Sequence, residues 1–131
     1  MQIGAGKVFG GIGSVIGHEA PHGFDDQRSQ FDGNGNNVNW WTPADREQFA
    51  ARTQKLADQF DAYTPIPGRP DVHVHGNLTL GESIADLGGV NASYDALQAV
   101  LDSDPGTAEE KIDGLQFGQS FGCSASPVST Y

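Results

Sequence analysis

The sequence predicts a mainly α-helical chain with a small β element and long loops. Two segments, residues 43–63 and 81–101, carry apolar residues at helical spacing, and residues 9–24 show the same pattern more weakly. Eighteen Gly and seven Pro among 131 residues place much of the remainder in turns and loops. At this length we expect one modest domain, or a piece of one, with an irregular tail at residues 116–131 that shows no usable periodicity.

The first element is a glycine-rich helix that needs tertiary support, because each Gly costs about 1 kcal/mol relative to Ala in a helix interior. Its apolar residues recur near helical spacing: Ile12, Val15, Ile16 and Ala20. Pro21 has no N–H to donate to the carbonyl of Gly17, so we expect the helix to be disturbed there. Residues 25–39, rich in Asp, Gly and Asn, predict an irregular connection.

The second helix has clear start and stop signals. Thr42 is typical of an N-cap and Pro43 of the first helical position, and the helix should stop near Tyr63 before a proline-rich stretch. The residues of its apolar stripe are Phe49, Leu56 and Phe60. Apolar residues then alternate between positions 71 and 80 around Gly76-Asn77, which predicts a short hairpin or a strand with a turn.

The third helix, at residues 81–101, is predicted to be amphipathic and interrupted only by Gly88-Gly89. The residues of its predicted core face are Leu80, Ile84, Leu87, Tyr94, Leu97 and Leu101. Glu82 and Asp86 lie four apart on the other face. That face is therefore free for chemistry, although a solvated acidic surface is the plain alternative.

Charge and composition exclude several classes of partner. A formal net charge of −10 repels phosphate backbones, so nucleic acid is excluded as a partner. The single Cys123 excludes an internal disulfide and a thiolate cluster, so a metal would need His and carboxylate ligands. We expect neither a signal peptide nor a membrane segment in this chain, and the sequence leaves compartment and oligomeric state open.

The residues His18-Glu19-Ala20-Pro21-His22 form an H-E-x-x-H motif. Residues four apart stand on one face of a helix, so the two imidazoles can bind one zinc ion at about 2.0–2.1 Å. Glu19 projects about 100° round the helix from His18, which is the position of a general base. The plain alternative is a chance match.

A catalytic zinc needs three protein ligands and an open position. Glu82 can complete a His₂Glu set with His18 and His22, and Asp86 can accept the free N–H of a ligand histidine. The two pairs of residues therefore complement each other.

Taken in order, four stretches resemble the catalytic-domain core of the neprilysin family of zinc endopeptidases. The stretches are residues 9–27 (FGGIGSVIGHEAPHGFDDQ), 30–32 (QFD), 40–43 (WWTP) and 80–89 (LGESIADLGG). The resemblance covers about residues 8–101. It implies a zincin-like, thermolysin-like fold with two active-site helices, in which residues 1–115 are part of a zinc-metallopeptidase catalytic domain.

By the same resemblance the chain binds one Zn²⁺ through His18, His22 and Glu82. Glu19 is then the general base, and Asp86 and Asp25 orient the ligand histidines. The implied reaction is hydrolysis of a peptide substrate by a zinc-activated water.

A second hypothesis stays open beside this one. The resemblance does not include the family's upstream Asn-Ala-containing edge, which binds the substrate backbone, or its downstream His and Arg, which stabilise the oxyanion. The chain is then a truncated or degenerate domain that binds zinc without catalysing hydrolysis.

Overall fold

The computed structural model describes residues 4–104, 111 and 114–125, and all of their side chains except those of residues 117 and 123–125. The described part is mostly helical. In chain order it contains α1 (Ala5–Val8), a π-helix (Phe9–Gly13), α2 (Ser14–Glu19), two 3₁₀ helices (Pro21–Phe24 and Arg28–Gln30), α3 (Pro43–Asp61), α4 (Leu80–Ser103) and α5 (Phe117–Ala125). None of these helices combines the length and apolar character that a bilayer crossing requires. The chain divides into two compact units, Met1–Pro21 with Ala85–Tyr131, and His22–Ile84.

The core of the first unit forms where α1 and the π-helix pack on α4 and α5. Leu97 and Phe121 are buried there, and Tyr94 meets Phe121 edge to face with 5.4 Å between ring centroids. The partly buried side chains packed against them are Ala5, Phe9, Val90 and Leu101. No side chain would fit at Gly10, because the backbone of Phe121 occupies the space that a Cβ would need.

The buried stripe of α4 consists largely of small residues. Ala85, Gly89, Ser93 and Leu97 recur every four residues and are all buried. The predicted core face is therefore wrong at Leu87 and Tyr94, whose exposed fractions are 54% and 44%. Gly88-Gly89 does not interrupt the helix, because the absent side chains make room for Pro21 and for the backbone of His18. Close helix packing thus replaces the large apolar face expected from the sequence.

The second unit is organised on α3, which begins and ends close to the predicted residues. The hydroxyl of Thr42 accepts the Asp45 N–H at 3.1 Å and caps the helix, and Pro43 is its first residue. The connection before it is irregular, as predicted. The indole N–H groups of Trp40 and Trp41 fix this connection by donating to the carbonyls of Phe31 and Ser29.

The predicted hairpin between residues 71 and 80 is not formed. These residues lie in turns that fold back on the end of α3, because the carboxylate of Asp61 accepts the Gly76 N–H at 2.6 Å and the carbonyl of Tyr63 accepts the Val74 N–H. Backbone groups that a hairpin would pair are therefore bonded to Asp61, the last residue of α3, and to Tyr63 just after it. An isolated antiparallel bridge joins Phe31 and Asn37, and Leu115 is also a bridge residue.

Part of the predicted irregular tail is helical. Residues 117–125 form α5, although Gly and Ser give this segment weak helix propensity. Burial of Phe121 against Leu97 supplies the support that local propensity lacks. The division of the chain at residue 115 stays a prediction, and residues 126–131 of the tail lie outside the described residues.

Candidate metal centre

The H-E-x-x-H motif lies where two kinds of helix follow each other. His18 and Glu19 are the last residues of α2, and Pro21 begins the 3₁₀ helix that carries His22. The sequence therefore correctly located the disturbance at Pro21. A proline is tolerated at the first position of a helix, where no intrahelical acceptor awaits its N–H.

His18 contacts a carboxylate on α4. Its Nδ1 lies 2.8 Å from Oδ1 of Asp86, and both side chains are largely buried. Gly89, three residues further along α4, lies against the backbone of His18, where an added Cβ would come within 2.5 Å of the His18 nitrogen. The distance between α2 and α4 is thus short enough to hold the imidazole against Asp86.

His22 contacts a different carboxylate. Its Nδ1 lies 3.1 Å from Oδ2 of Asp25, whose side chain is only 7% exposed. The other oxygen, Oδ1, accepts the N–H groups of Gln27 at 2.9 Å and Arg28 at 2.7 Å. Burial raises the pKa of Asp25, but these N–H donors and His22 outweigh it and hold the pKa below its ordinary value of 3.8. Asp25 is therefore anchored as an anion.

Glu82 lies in the first turn of α4 and its side chain is exposed to solvent. Its Oε2 is 3.7 Å from Nε2 of His22. The two nitrogens of His22 therefore have separate roles, since Nδ1 contacts Asp25 and Nε2 is directed to Glu82.

His18, His22 and Glu82 can each offer one ligand atom, and these atoms all lie within 4.8 Å of one another. Ligands at about 2.0–2.1 Å on a tetrahedral zinc stand about 3.4 Å apart. The donor set is two imidazoles and one carboxylate, which suits zinc, and each imidazole has a carboxylate at Nδ1 that leaves Nε2 as the metal-binding nitrogen. The residues present therefore fit a zinc ion.

Glu19 follows His18 directly and its side chain is exposed. The structure places the six residues singled out from the sequence on α2, on the 3₁₀ helix Pro21–Phe24 with the turn after it, and on α4. They are His18, Glu19, His22, Asp25, Glu82 and Asp86.

The residues that shape the helix before His18 were not predicted from the sequence. The carbonyl of Phe9 accepts the hydroxyls of Ser14, at 3.2 Å, and of Ser93. The run of Gly10, Gly11 and Gly13 was a signal of unusual helix geometry, but Ser93 lies 84 residues away from Phe9 and no local pattern links them.

Comparison with known proteins identifies a peptidase family. The model for peptidase family M13 matches residues 3–128. The chain is 43% identical over 108 residues to Neprilysin-11 of Caenorhabditis elegans, a match that covers 82% of this chain and 12% of the relative. It is 46% identical over 90 residues to human Endothelin-converting enzyme 1, covering 69% of this chain and 11% of that protein. The chain thus spans a small part of the length of these relatives.

Solved structures agree with the family match. The crystal structure of the Mycobacterium tuberculosis zinc metalloprotease ZMP1 in complex with an inhibitor is 45% identical and superposes with a TM-score of 0.80, covering 94% of this chain and 19% of that one. PepO from Lactobacillus rhamnosis HN001 is 31% identical with a TM-score of 0.74, covering 98% of this chain and 18% of that one. The fold described above is therefore similar to part of these proteins.

Proposed function

The chain belongs to peptidase family M13, the neprilysin family, and on that premise we propose that it carries the zinc-binding part of a metalloendopeptidase active site. The proposed ligands are His18, His22 and Glu82, which bind one Zn²⁺ per chain. The observation that carries the proposal is the meeting of their ligand atoms within 4.8 Å. The proposed substrate is a peptide.

Two carboxylates prepare the histidines for this role. Asp86 and Asp25 each accept the Nδ1–H of one imidazole, which selects the tautomer whose Nε2 lone pair is free to bind a metal. Each contact also fixes the orientation of its imidazole ring. We therefore assign Asp86 and Asp25 as positioning residues for His18 and His22.

When bound, zinc supplies Lewis acidity, which polarises the scissile carbonyl and lowers the pKa of a water molecule toward about 7. Glu19 is the proposed general base, because α2 holds it next to His18 without making it a ligand. Its carboxylate takes the proton from the attacking water and returns it to the leaving amine. The exposed side chain of Glu19 leaves it accessible to a substrate.

A second candidate is a domain that binds zinc but does not catalyse hydrolysis. The observation that favours it is the share of the relatives that this chain spans, which is 11% of human Endothelin-converting enzyme 1 and 19% of ZMP1. Substrate-binding and oxyanion-stabilising groups of a whole peptidase can lie outside such a share.

Hydrolysis of a quenched fluorescent peptide by the zinc-loaded chain separates the two candidates. The first predicts turnover that a chelator abolishes and that Glu19→Gln lowers by about 10²–10⁴-fold while bound zinc is unchanged. Glu47→Gln, on α3, is the matched control and should keep full activity. A chain that holds one zinc and hydrolyses no peptide would establish the second candidate instead.

A further inference from the structure

A π-helix interrupts the helix that leads to His18. Residues 9–13 have π geometry between α1 and α2, and the N–H of Ser14 is shared between the carbonyls of Gly11 and of Phe9, the latter five residues earlier. The same carbonyl accepts two hydroxyls, from Ser14 at 3.2 Å and from Ser93 on α4. Ser14 and Ser93 are both buried. Three donors thus converge on the one carbonyl that marks the π turn.

A π turn acts as a one-residue insertion and rotates everything after it by about 100° relative to a regular α-helix. The start of the π-helix is held by the core, because Phe9 packs against Leu97 and Phe121 and Gly10 lies on the backbone of Phe121. Residues after it are held by α4, because Gly17 lies on Gly89, and His18 contacts Asp86. A regular helix could satisfy one of these two sets of contacts but not both.

We propose that Ser93, together with Ser14, is a positioning residue that holds the π turn at Phe9 and so sets the rotation of His18 for zinc binding. The proposal rests on the function proposed above and deepens it. Ser93 has no direct contact with the metal ligands in this scheme; it acts through the Phe9 carbonyl and the register of the helix. The Ser93 hydroxyl is thus the contact through which α4 stabilises the π turn.

Two glycines of the π-helix offer a matched pair of variants. A Cβ at Gly13 would lie 2.6 Å from Oγ of Ser93 and would push that hydroxyl off the carbonyl. A Cβ at Gly11 would meet nothing within 4 Å. Gly11→Ala controls for the gain in helix propensity that both changes share. A Cβ at Gly13 would also lie 3.3 Å from the Val8 carbonyl oxygen, so Ser93→Ala, which adds no atom, is tested beside Gly13→Ala.

The test measures the zinc affinity of the 131-residue chain by competition with a chromophoric chelator, and the visible spectrum of the chain saturated with Co²⁺. We expect Ser93→Ala and Gly13→Ala to weaken zinc binding by about tenfold or more and to shift the Co²⁺ bands. Gly11→Ala and Ser120→Ala, the latter a buried serine on α5, should stay within about twofold of the wild type and keep its spectrum. A loss of stability alone would lower occupancy but would not move the bands at saturation.

The outcomes separate this inference from the proposed function. A wild-type chain that binds no zinc would remove both. A wild-type chain that binds zinc, with Ser93→Ala and Gly13→Ala indistinguishable from it, would overturn only the positioning role. Loss of the helical circular dichroism signal in both variants would also overturn it, since Ser93 would then support folding rather than direct His18.

Discussion

At the scale of single residues, the two histidines that we propose as zinc ligands contact different carboxylates. Asp86 is partly exposed and acts through one oxygen on His18. Asp25 is buried and uses both oxygens, one on His22 and one on two backbone N–H groups. Asp25 therefore also stabilises the turn at Gln27 and Arg28, whereas the contact described for Asp86 is with the imidazole of His18.

The first prediction concerns Asp86. Asp86→Asn removes the negative charge beside Nδ1 of His18 and should weaken zinc binding by about 10–100-fold, because ligand basicity and ring orientation both suffer. Chelator competition measures the effect. Asp95→Asn makes the same charge change at an exposed position on the same helix and should leave the affinity unchanged. Equal affinities of the two variants would refute the role of Asp86.

The second prediction concerns pH and Asp25. Its pKa is lowered in the folded chain, so its contribution to stability is complete above the ordinary pKa of 3.8 and is lost as pH falls through the lower folded-state pKa. Asp25→Asn should therefore be less stable than the wild type at pH 6, and the gap should narrow as the pH falls below about 4. Urea unfolding of the metal-free chains at both pH values measures it. A gap that does not change with pH would show that the charge of Asp25 contributes nothing.

At the scale of helices, the site depends on how closely α2 approaches α4. Gly17 and Gly89 meet backbone to backbone, and no side chain fits between them. The contact fixes where His18 stands relative to Asp86 along α4. The small residues at the crossing thus set the position of His18, and the Asp86 carboxylate sets the orientation of its imidazole ring.

The third prediction tests that crossing. Gly89→Ala would place a Cβ 2.5 Å from the His18 nitrogen and 2.6 Å from the Ser14 carbonyl oxygen. It should destabilise the chain by about 1–3 kcal/mol and weaken zinc binding, because the helices must separate. Gly118→Ala on α5 has an open environment and should be neutral or slightly stabilising. Thermal unfolding and chelator competition check both; a Gly89→Ala chain as stable as the wild type would contradict the account of the crossing.

The elements that the sequence predicted well have local causes. Thr42 and Pro43 determine the start of α3 through a cap and a fixed φ, and the spacing of His18, Glu19 and His22 is set within five consecutive residues. The hairpin at 71–80 was mispredicted because its backbone donors find acceptors on α3, and α5 was missed because its support comes from Leu97. Each error arises from a contact distant in sequence, which no local pattern encodes.

At the scale of the whole molecule, a charge of −10 favours attraction of a divalent cation but does not select one. Selection comes from donor chemistry, since two imidazoles with a carboxylate suit zinc better than calcium or magnesium. The sequence could predict which three candidate ligands lie close together, because two motifs carry them all. It could not predict the π turn, which depends on the packing of Phe9 and Gly17 against different partners.

Zinc K-edge X-ray absorption of the metal-loaded chain, combined with metal analysis, tests directly whether His18, His22 and Glu82 bind one zinc ion. The account predicts one zinc per chain with two imidazole ligands and further oxygen ligands at about 2.0–2.2 Å. Glu82→Gln should lower the zinc content after dialysis, while Glu19→Gln should keep it. A chain that retains no zinc, or a spectrum with a sulfur ligand or a single imidazole, would contradict the account.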